Sequence, residues 1–593
     1  MVPRHLGELF FQRVEQLGDR TFIKLQRRKR FEEISWRDFG IKVQETLLGL
    51  YALGLRRGER VAILSENRVE WLCADMATLA GGFPNVVVSP RLSESMILRL
   101  LGHSRARVVF VEDEIAVGRL LNLQGQLPSL AHIIVMEATN SRLPDTRSFD
   151  ELVRRGRDGT TENLHRILES IHEDDLATIM YTSGSTGEPK GVMKTQKNIL
   201  ANLASGSEIT LSKPDELVAM VLSLNHLLGR FGFHKSAATG RATAVMEATE
   251  LEVDLKSIQA LSPTAMTLVP RVMERMWVAI LAEGENQSYW ESLQRLDQRK
   301  AEGYSLNAEE TEQFERLKGL LRDAVKRSLG GRIKYVTYGG APMAPRIMRF
   351  FELIGIPLLG SYGSTECGGV TLSGIGENRP GSLGKPFANV EVRVATDGEI
   401  LVRGPTVMPG YFENPEATRE VLDADGWFHT GDLGSVDPDG SLRIVGRKKD
   451  VFYCSDGSNI YPGAIELLLE NDALIRQAVL VGDRCPFLAA LLVPEADRVA
   501  AELKKDRAAL ASSETEEALW NRVQKINDRL EEYEKVRSIV VLKNDFPERV
   551  RSVTAVQKIK IDRKAVDELY KNEIDELYKK TDRRALRTGV SLE

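Results

Sequence analysis

The sequence predicts an α/β protein: a large N-terminal domain of layered α/β sheets with a small β subdomain, followed by a small α+β C-terminal domain. Three observations carry the prediction. Short β-branched runs alternate with longer amphipathic stretches, the texture changes to hairpins near residue 391, and a strand–helix pattern resumes after residue 450. Strands separated by helical patterns call for mostly parallel pairing, because a parallel return needs a long crossover.

In chain order the strand candidates are Arg60-Val-Ala-Ile-Leu, Val108-Val-Phe-Val, His132-Ile-Ile-Val-Met, Leu176–Met180, Ala244-Val-Met-Glu, Ala265-Met-Thr-Leu-Val and Ile333-Lys-Tyr-Val-Thr-Tyr. Between Glu283 and Leu329 the chain is charged and helix-rich, which reads as a helical insertion. From Glu391 come Val392-Arg-Val-Ala-Thr, a turn at Asp397-Gly398, Glu399-Ile-Leu-Val-Arg, and Asp437-Pro-Asp-Gly-Ser before Leu442-Arg-Ile-Val. Asp-Gly flanked by alternating apolar residues is a hairpin signal. The expected division is a large domain over 1–446 (β subdomain about 385–446), a joint at 447–450, and a small domain over 451–593. The small domain is expected to open as a βαβ-like unit, with a helix at Gly463–Glu470 and strands at Ala478–Val481 and Leu488–Val493.

With 593 residues the chain is too long for one core at the usual ~100–200 residues per domain. Apolar residues make up 42% and charged residues 28%, an ordinary globular balance that excludes collagen, coiled coil and wholesale disorder. Lys plus Arg total 80 against 85 Asp plus Glu, so nothing demands a nucleic acid partner, while a small phosphate ligand stays compatible. The four cysteines lack C-x-x-C spacing and fit a reducing cytoplasm. The first residues do not read as a secretory signal, and no apolar run approaches the ~18 residues of a membrane span. A peripheral membrane contact through Arg27-Arg28-Lys29-Arg30 is the alternative location, although four basic residues read first as a solvated loop. The sequence leaves the oligomeric state open.

The segment richest in chemistry is Tyr181-Thr-Ser-Gly-Ser-Thr-Gly-Glu-Pro-Lys-Gly191, directly after a strand. Glycines let a loop close around phosphate, backbone N–H groups and the hydroxyls of Thr182, Ser183, Ser185 and Thr186 donate to its oxygens, and Lys190 adds charge. Gly184 and Gly187 give the loop its freedom. A Walker loop needs Gly-Lys-Ser/Thr, and Lys190 stands between Pro189 and Gly191, so the kinase and GTPase type fails.

With Tyr362-Gly-Ser-Thr-Glu366, Gly426-Trp-Phe-His-Thr-Gly-Asp432, Gly446-Arg-Lys-Lys-Asp450 and Lys560-Ile-Asp-Arg-Lys564 following in order, the chain resembles the adenylate-forming superfamily, and in particular its long-chain fatty acyl-CoA synthetases. The resemblance implies that a carboxylate attacks the α-phosphorus of ATP, pyrophosphate leaves, and a thiol then takes the acyl group from acyl-AMP. It implies ATP, Mg²⁺ and CoA, with a medium- to long-chain fatty acid as substrate. It gives Glu366 to Mg²⁺, Thr365 to the α-phosphate, Asp432 and Arg447 to the ribose, Tyr362 and the Gly340-Ala341-Pro342 backbone to the adenine, and Gly363 to the nucleotide-binding set.

The same resemblance implies a C-terminal catalytic lysine. Lys560 fits, yet Ile559 stands where the family carries glycine, and the repeated Lys-Ile pair leaves Lys558 as the alternative. It implies a mobile small domain turning about Lys449, with Ser455-Asp-Gly-Ser-Asn459 brought against a pantetheine tunnel. Leu222-Ser-Leu-Asn-His-Leu-Leu-Gly-Arg230 resembles the long-chain version of the acyl-site motif, with His226 beside the carboxylate. No acidic residue occupies that stretch, so an amino-acid substrate would lack a counter-charge. Two alternatives remain: an acyl-AMP ligase that loads an acyl carrier protein, and a non-catalytic nucleotide-binding scaffold.

Overall fold

A computed structural model describes residues 3–27, 30–137, 146–183, 188–205, 215–246, 254–377, 379, 381–453, 459–483, 485, 487–503, 513–547, 551–553 and 559–578. Among them two large mixed sheets dominate. The first runs in the order Thr146–Ser148, His132–Val135, Val108–Val111, Val61–Leu64, Asn85–Val88, Leu176–Ser183 and Pro189–Thr195, parallel except for the last pair. The second has five parallel pairs through Thr21–Arg27, Ala242–Val245, Leu217–Met220, Ala265–Leu268, Tyr335–Gly339 and Leu358–Ser364, with antiparallel strands at both edges. The central strands Val61–Leu64 and Val108–Val111 are buried on both faces, which is why they read as unbroken apolar runs rather than alternating ones.

A buried polar lock ties the helix Leu227–Thr239 to the first sheet. Asp75, fully buried, accepts from Arg230 Nη2 at 2.6 Å and Asn85 Nδ2 at 2.8 Å on one oxygen, and its other oxygen lies 2.6 Å from His234 Nε2. Arg230 also donates to Thr178 Oγ1 at 2.7 Å. Burial opposes the Asp75 charge, but Arg230 and His234 outweigh it and hold the carboxyl below its usual range. The lock fixes the helix Leu227–Thr239, whose N-cap is His226, onto the strands that carry the phosphate loop. Asp75→Ala would leave the Arg230 guanidinium buried without its counter-charge. It is expected to cost about 3–5 kcal/mol, read as a lower urea midpoint.

The charged stretch forms the helices Asn286–Ala301 and Ala308–Ser328, the second opened by a reciprocal Asn307–Glu310 cap. Trp290 of the first helix packs edge to face with Trp277 and Phe350, which also meet edge to face. Glu391–Val394, Glu399–Arg403, Phe428–Val436 and Leu442–Arg447 form a four-stranded antiparallel sheet. Gly398 takes φ 84° in the Asp-Gly turn, a value that suits glycine.

In the C-terminal part, Pro462–Glu470 is helical and Ile475–Val481 and Leu488–Pro494 are strands. The expected βαβ arrangement of these elements is corrected: the two strands pair antiparallel. Only 482–487 joins them, too short for a crossover. The parallel crossover comes one step later, from Leu488–Pro494 through the helices Ala496–Leu503 and Ser513–Asn527 to Val536–Val541. Arg346 ties this part to the rest through its backbone N–H to Asn471 Oδ1 at 3.1 Å, and its guanidinium reaches Glu274 at 2.5 Å. No helix of the described residues is long and apolar enough to cross a membrane.

Candidate active site

The phosphate segment is the tip of a β-hairpin. Leu176–Ser183 and Pro189–Thr195 pair antiparallel down to Thr182 opposite Lys190 and Ser183 opposite Pro189. Gly184, Ser185, Thr186 and Gly187 lie outside the described residues. A Cβ on Gly191 would come within 2.9 Å of Ile179 Cγ2, so glycine is needed there for the strands to close. Lys190 Nζ stands 5.1 Å from the Tyr411 ring centroid and 3.8 Å from the Glu420 carboxylate.

Parallel pairing puts the C-terminal ends of Tyr335–Gly339 and Leu358–Ser364 side by side, the usual place for a ligand in an open α/β sheet. Gly340-Ala341-Pro342 leaves the first end, and Tyr362-Gly363 continues the second into the turn of Thr365 and Glu366. A Cβ on Gly363 would sit 2.3 Å from the Gly368 carbonyl oxygen, which only glycine tolerates. Glu366 Oε1 accepts from Tyr411 OH at 3.3 Å and Thr182 Oγ1 at 3.5 Å. Its Oε2 accepts no hydrogen bond among the described residues. A hard cation takes carboxylate oxygens alongside substrate phosphates, so this free oxygen fits Mg²⁺.

Asp432 is 5% exposed, and both its oxygens are held. Tyr362 OH donates to Oδ2 at 2.7 Å, and Arg447 Nε stands 2.8 Å from Oδ1. Burial first, then the Asp432 charge, push the Tyr362 phenol well above its ordinary range, so it stays a donor. The register Asp432 opposite Arg447 on neighbouring strands creates this pair. The segment Tyr362–Glu366 thus bonds at one end to Asp432 and at the other to Thr182 of the phosphate hairpin.

His226 begins its helix on the loop that Asn67 clamps through Leu222 O and the Leu224 N–H, both at 2.8 Å. Lys449 is exposed within the short turn Lys448–Asp450. Its neighbour Lys448 bridges Asp397 at 2.7 Å and Glu399 at 3.0 Å. Lys560 lies on the strand Ile559–Ile561, opposite Ser552. Lys558 and residues 454–458 lie outside the described residues. Arg563 of the same C-terminal motif grips Glu466 with both terminal nitrogens at 2.8 Å.

Sequence reasoning missed Tyr411 and Lys194. Lys194 Nζ, buried, donates to the backbone oxygens of Glu366 and Thr406, each at 2.8 Å, and burial pushes it down to about 8. Strand periodicity offered a signal: Lys190, Val192 and Lys194 share one face of their strand. Tyr411 lies 45 residues from Glu366 and carries no such signal.

The fold and this site define a nucleotide-binding α/β enzyme of the adenylate-forming type. The chain belongs to the AMP-binding enzyme family, which it matches over residues 10–412, and it matches the AMP-binding enzyme C-terminal domain over 449–582. It is 31% identical over 565 residues to the long-chain-fatty-acid–CoA ligase FadD15 of Mycobacterium bovis, covering 91% of both chains. With the peroxisomal long chain acyl-CoA synthetase 7 of Arabidopsis thaliana it shares 29% over 479 residues, 76% of this chain and 67% of that one. Among solved structures, the anthranilate CoA ligase AuaEII with anthranoyl-AMP superposes with a TM-score of 0.73 at 19% identity, covering 96% of this chain and 98% of that one. The adenylation domain of the carboxylic acid reductase of Segniliparus rugosus, with AMP and a co-purified carboxylic acid, gives 0.73 at 20%, covering 97% and 94%. These two likenesses concern the fold.

Proposed function

We propose that the chain is an AMP-forming acyl-CoA synthetase that activates a medium- to long-chain fatty acid with ATP and passes the acyl group to CoA. The observation that carries this reading is the continuous segment from Asp432 to the phosphate hairpin, whose two ends offer groups suited to a ribose and to phosphates. The names of the curated relatives support the fatty acid and the CoA acceptor.

In this reading Asp432, steadied by Tyr362 and Arg447, accepts the ribose hydroxyls, a task for an acceptor-only carboxylate. Gly340–Pro342 and Tyr362 flank the adenine. Thr182, Lys190 and Thr365 hold the phosphates, and His226 stands by the carboxylate. Glu366 would hold Mg²⁺, which when bound would supply positive charge against the phosphates. A carboxylate oxygen forms a bond to the α-phosphorus as the bond to the β-phosphate bridge breaks, and pyrophosphate leaves. The CoA sulfur then bonds to the acyl carbon, its proton is lost, and AMP departs. The protein's share is alignment and charge stabilisation. We place the domain joint at 447–450 with Lys449 as the pivot, and the protein in the cytoplasm.

The test is exchange of labelled pyrophosphate into ATP, dependent on added fatty acid, across acids of increasing length. Asp432→Ala removes a charged acceptor and leaves Tyr362 and Arg447 without it, so nucleotide affinity should fall about 30- to 160-fold at the ~2–3 kcal/mol of such bonds. Unchanged affinity would refute the ribose role. Exchange with no acid in the series would sink the enzymatic reading, and transfer to a carrier protein in place of CoA would move the acceptor.

A further inference from the structure

Two helix ends meet across the joint between the large and the small domain. The helix Pro345–Ile354 of the large domain starts after Ala344, whose side chain gives it no cap. A helix leaves its first backbone N–H groups without partners of its own, and Pro345 has no such group, so Arg346 carries the first one that needs an acceptor. The acceptor comes from the small domain, Asn471 Oδ1 at 3.1 Å, in the role an N-cap side chain normally fills. Asn471 itself closes the helix Pro462–Glu470, and its carbonyl oxygen accepts from Arg346 Nη1 at 3.4 Å. That places a cation at a helix C-terminus, where the macrodipole favours it. Each residue thus caps the helix of the other.

The Arg346 side chain is fixed from its own domain. Nη2 donates to Glu274 at 2.5 Å, and the guanidinium lies 5.5 Å from the centre of the Trp277 ring, both on the helix Pro270–Leu281. Glu470 ends the small-domain helix. Burial first pushes its carboxyl up to about 7, the Glu274 charge adds to the rise and the Arg346 charge opposes it. Arg346 therefore answers an acid of each domain, and without its charge Glu274 and Glu470 would repel across the joint. These bonds exist only while the small domain sits as it does here, because a turn about 447–450 carries Asn471 away from a helix that stays with the large domain.

We propose that Arg346 and Asn471 are positioning residues that latch the small domain in this orientation and thereby set how the chain divides itself between the two half-reactions. The division rests on the two-step reaction proposed above, while the latch is open to a test that needs no catalysis.

The experiment uses the full chain. Asn471→Ala removes the side-chain acceptor, and Arg346→Met keeps an apolar stem against Trp277 while removing the charge. Loss of one capping bond should raise the unlatched population about fivefold. Tryptic cleavage at 447–450, followed under native conditions without substrates, tracks that population and should quicken by the same factor in either variant. With substrates, pyrophosphate exchange and thioester formation from supplied acyl-AMP should move in opposite directions, because a latch favours one orientation at the expense of the other. A contact that serves folding alone lowers both together. Asn471→Asp keeps an acceptor for the Arg346 N–H and should restore both the cleavage rate and the division of activity. Cleavage at the wild-type rate in both variants, or a parallel loss of the two half-reactions, would overturn the proposal. Faster cleavage in variants of a chain that exchanges pyrophosphate with no acid would bear out the latch and refute the two-step reading, so the two failures are told apart.

Discussion

Lys449→Pro is expected to separate the two half-reactions. Lys449 lies in the short 3₁₀ turn Lys448–Asp450, where the backbone angle of such turns suits proline. The substitution therefore tolerates the present orientation of the small domain, the one in which Asn471 accepts from the Arg346 N–H. Turning the small domain requires that contact to break and the joint's φ/ψ to change, and proline fixes φ near −65°. Pyrophosphate exchange should stay near wild type while thioester formation falls by about 10²-fold or more, with bound acyl-AMP accumulating. Both activities are read from one preparation. A parallel loss of both would mark a folding defect, and two wild-type activities would remove Lys449 as the pivot.

Lys560→Ala should depress adenylation by about 10²-fold or more, the scale of removing one preorganised charge from a transition state in which negative charge grows on phosphate. Thioester formation from supplied acyl-AMP should largely survive, since no phosphoryl charge develops in that step. The strand Ile559–Ile561, paired through Lys560 opposite Ser552, gives the backbone around this lysine a fixed register. Lys558→Ala provides the contrast. A larger loss in that variant reverses the assignment, and small equal losses favour the nucleotide-binding scaffold.

Each of these experiments depends on a different layer of information. The strand Val61–Leu64, the insertion helices, the Asp397-Gly398 turn and the order of the chemical motifs were legible in the sequence. Each is written in local terms: a run of apolar residues, a helical period with its cap, a turn that needs φ above zero, glycines and hydroxyls adjacent in the chain. The hairpin residues that we propose hold phosphate sit within eleven positions, so their chemistry could be read before their geometry.

Contacts that join distant positions were decided by the tertiary structure. Asp75 meets Arg230 across 155 residues, Tyr362 meets Asp432 across 70, and Lys194 meets the Glu366 carbonyl across 172. No local period encodes such pairs, because they arise from which strands neighbour one another and in what register. The antiparallel pairing of Ile475–Val481 with Leu488–Pro494 illustrates the boundary between the two kinds of knowledge. The strands were visible as apolar runs, but their direction was set by the length of the connection. By itself the sequence determined which elements form and which chemical groups the chain offers to phosphate. The packing of two sheets decided which of those groups share a site, because a buried charge must find its partner wherever the fold brings one.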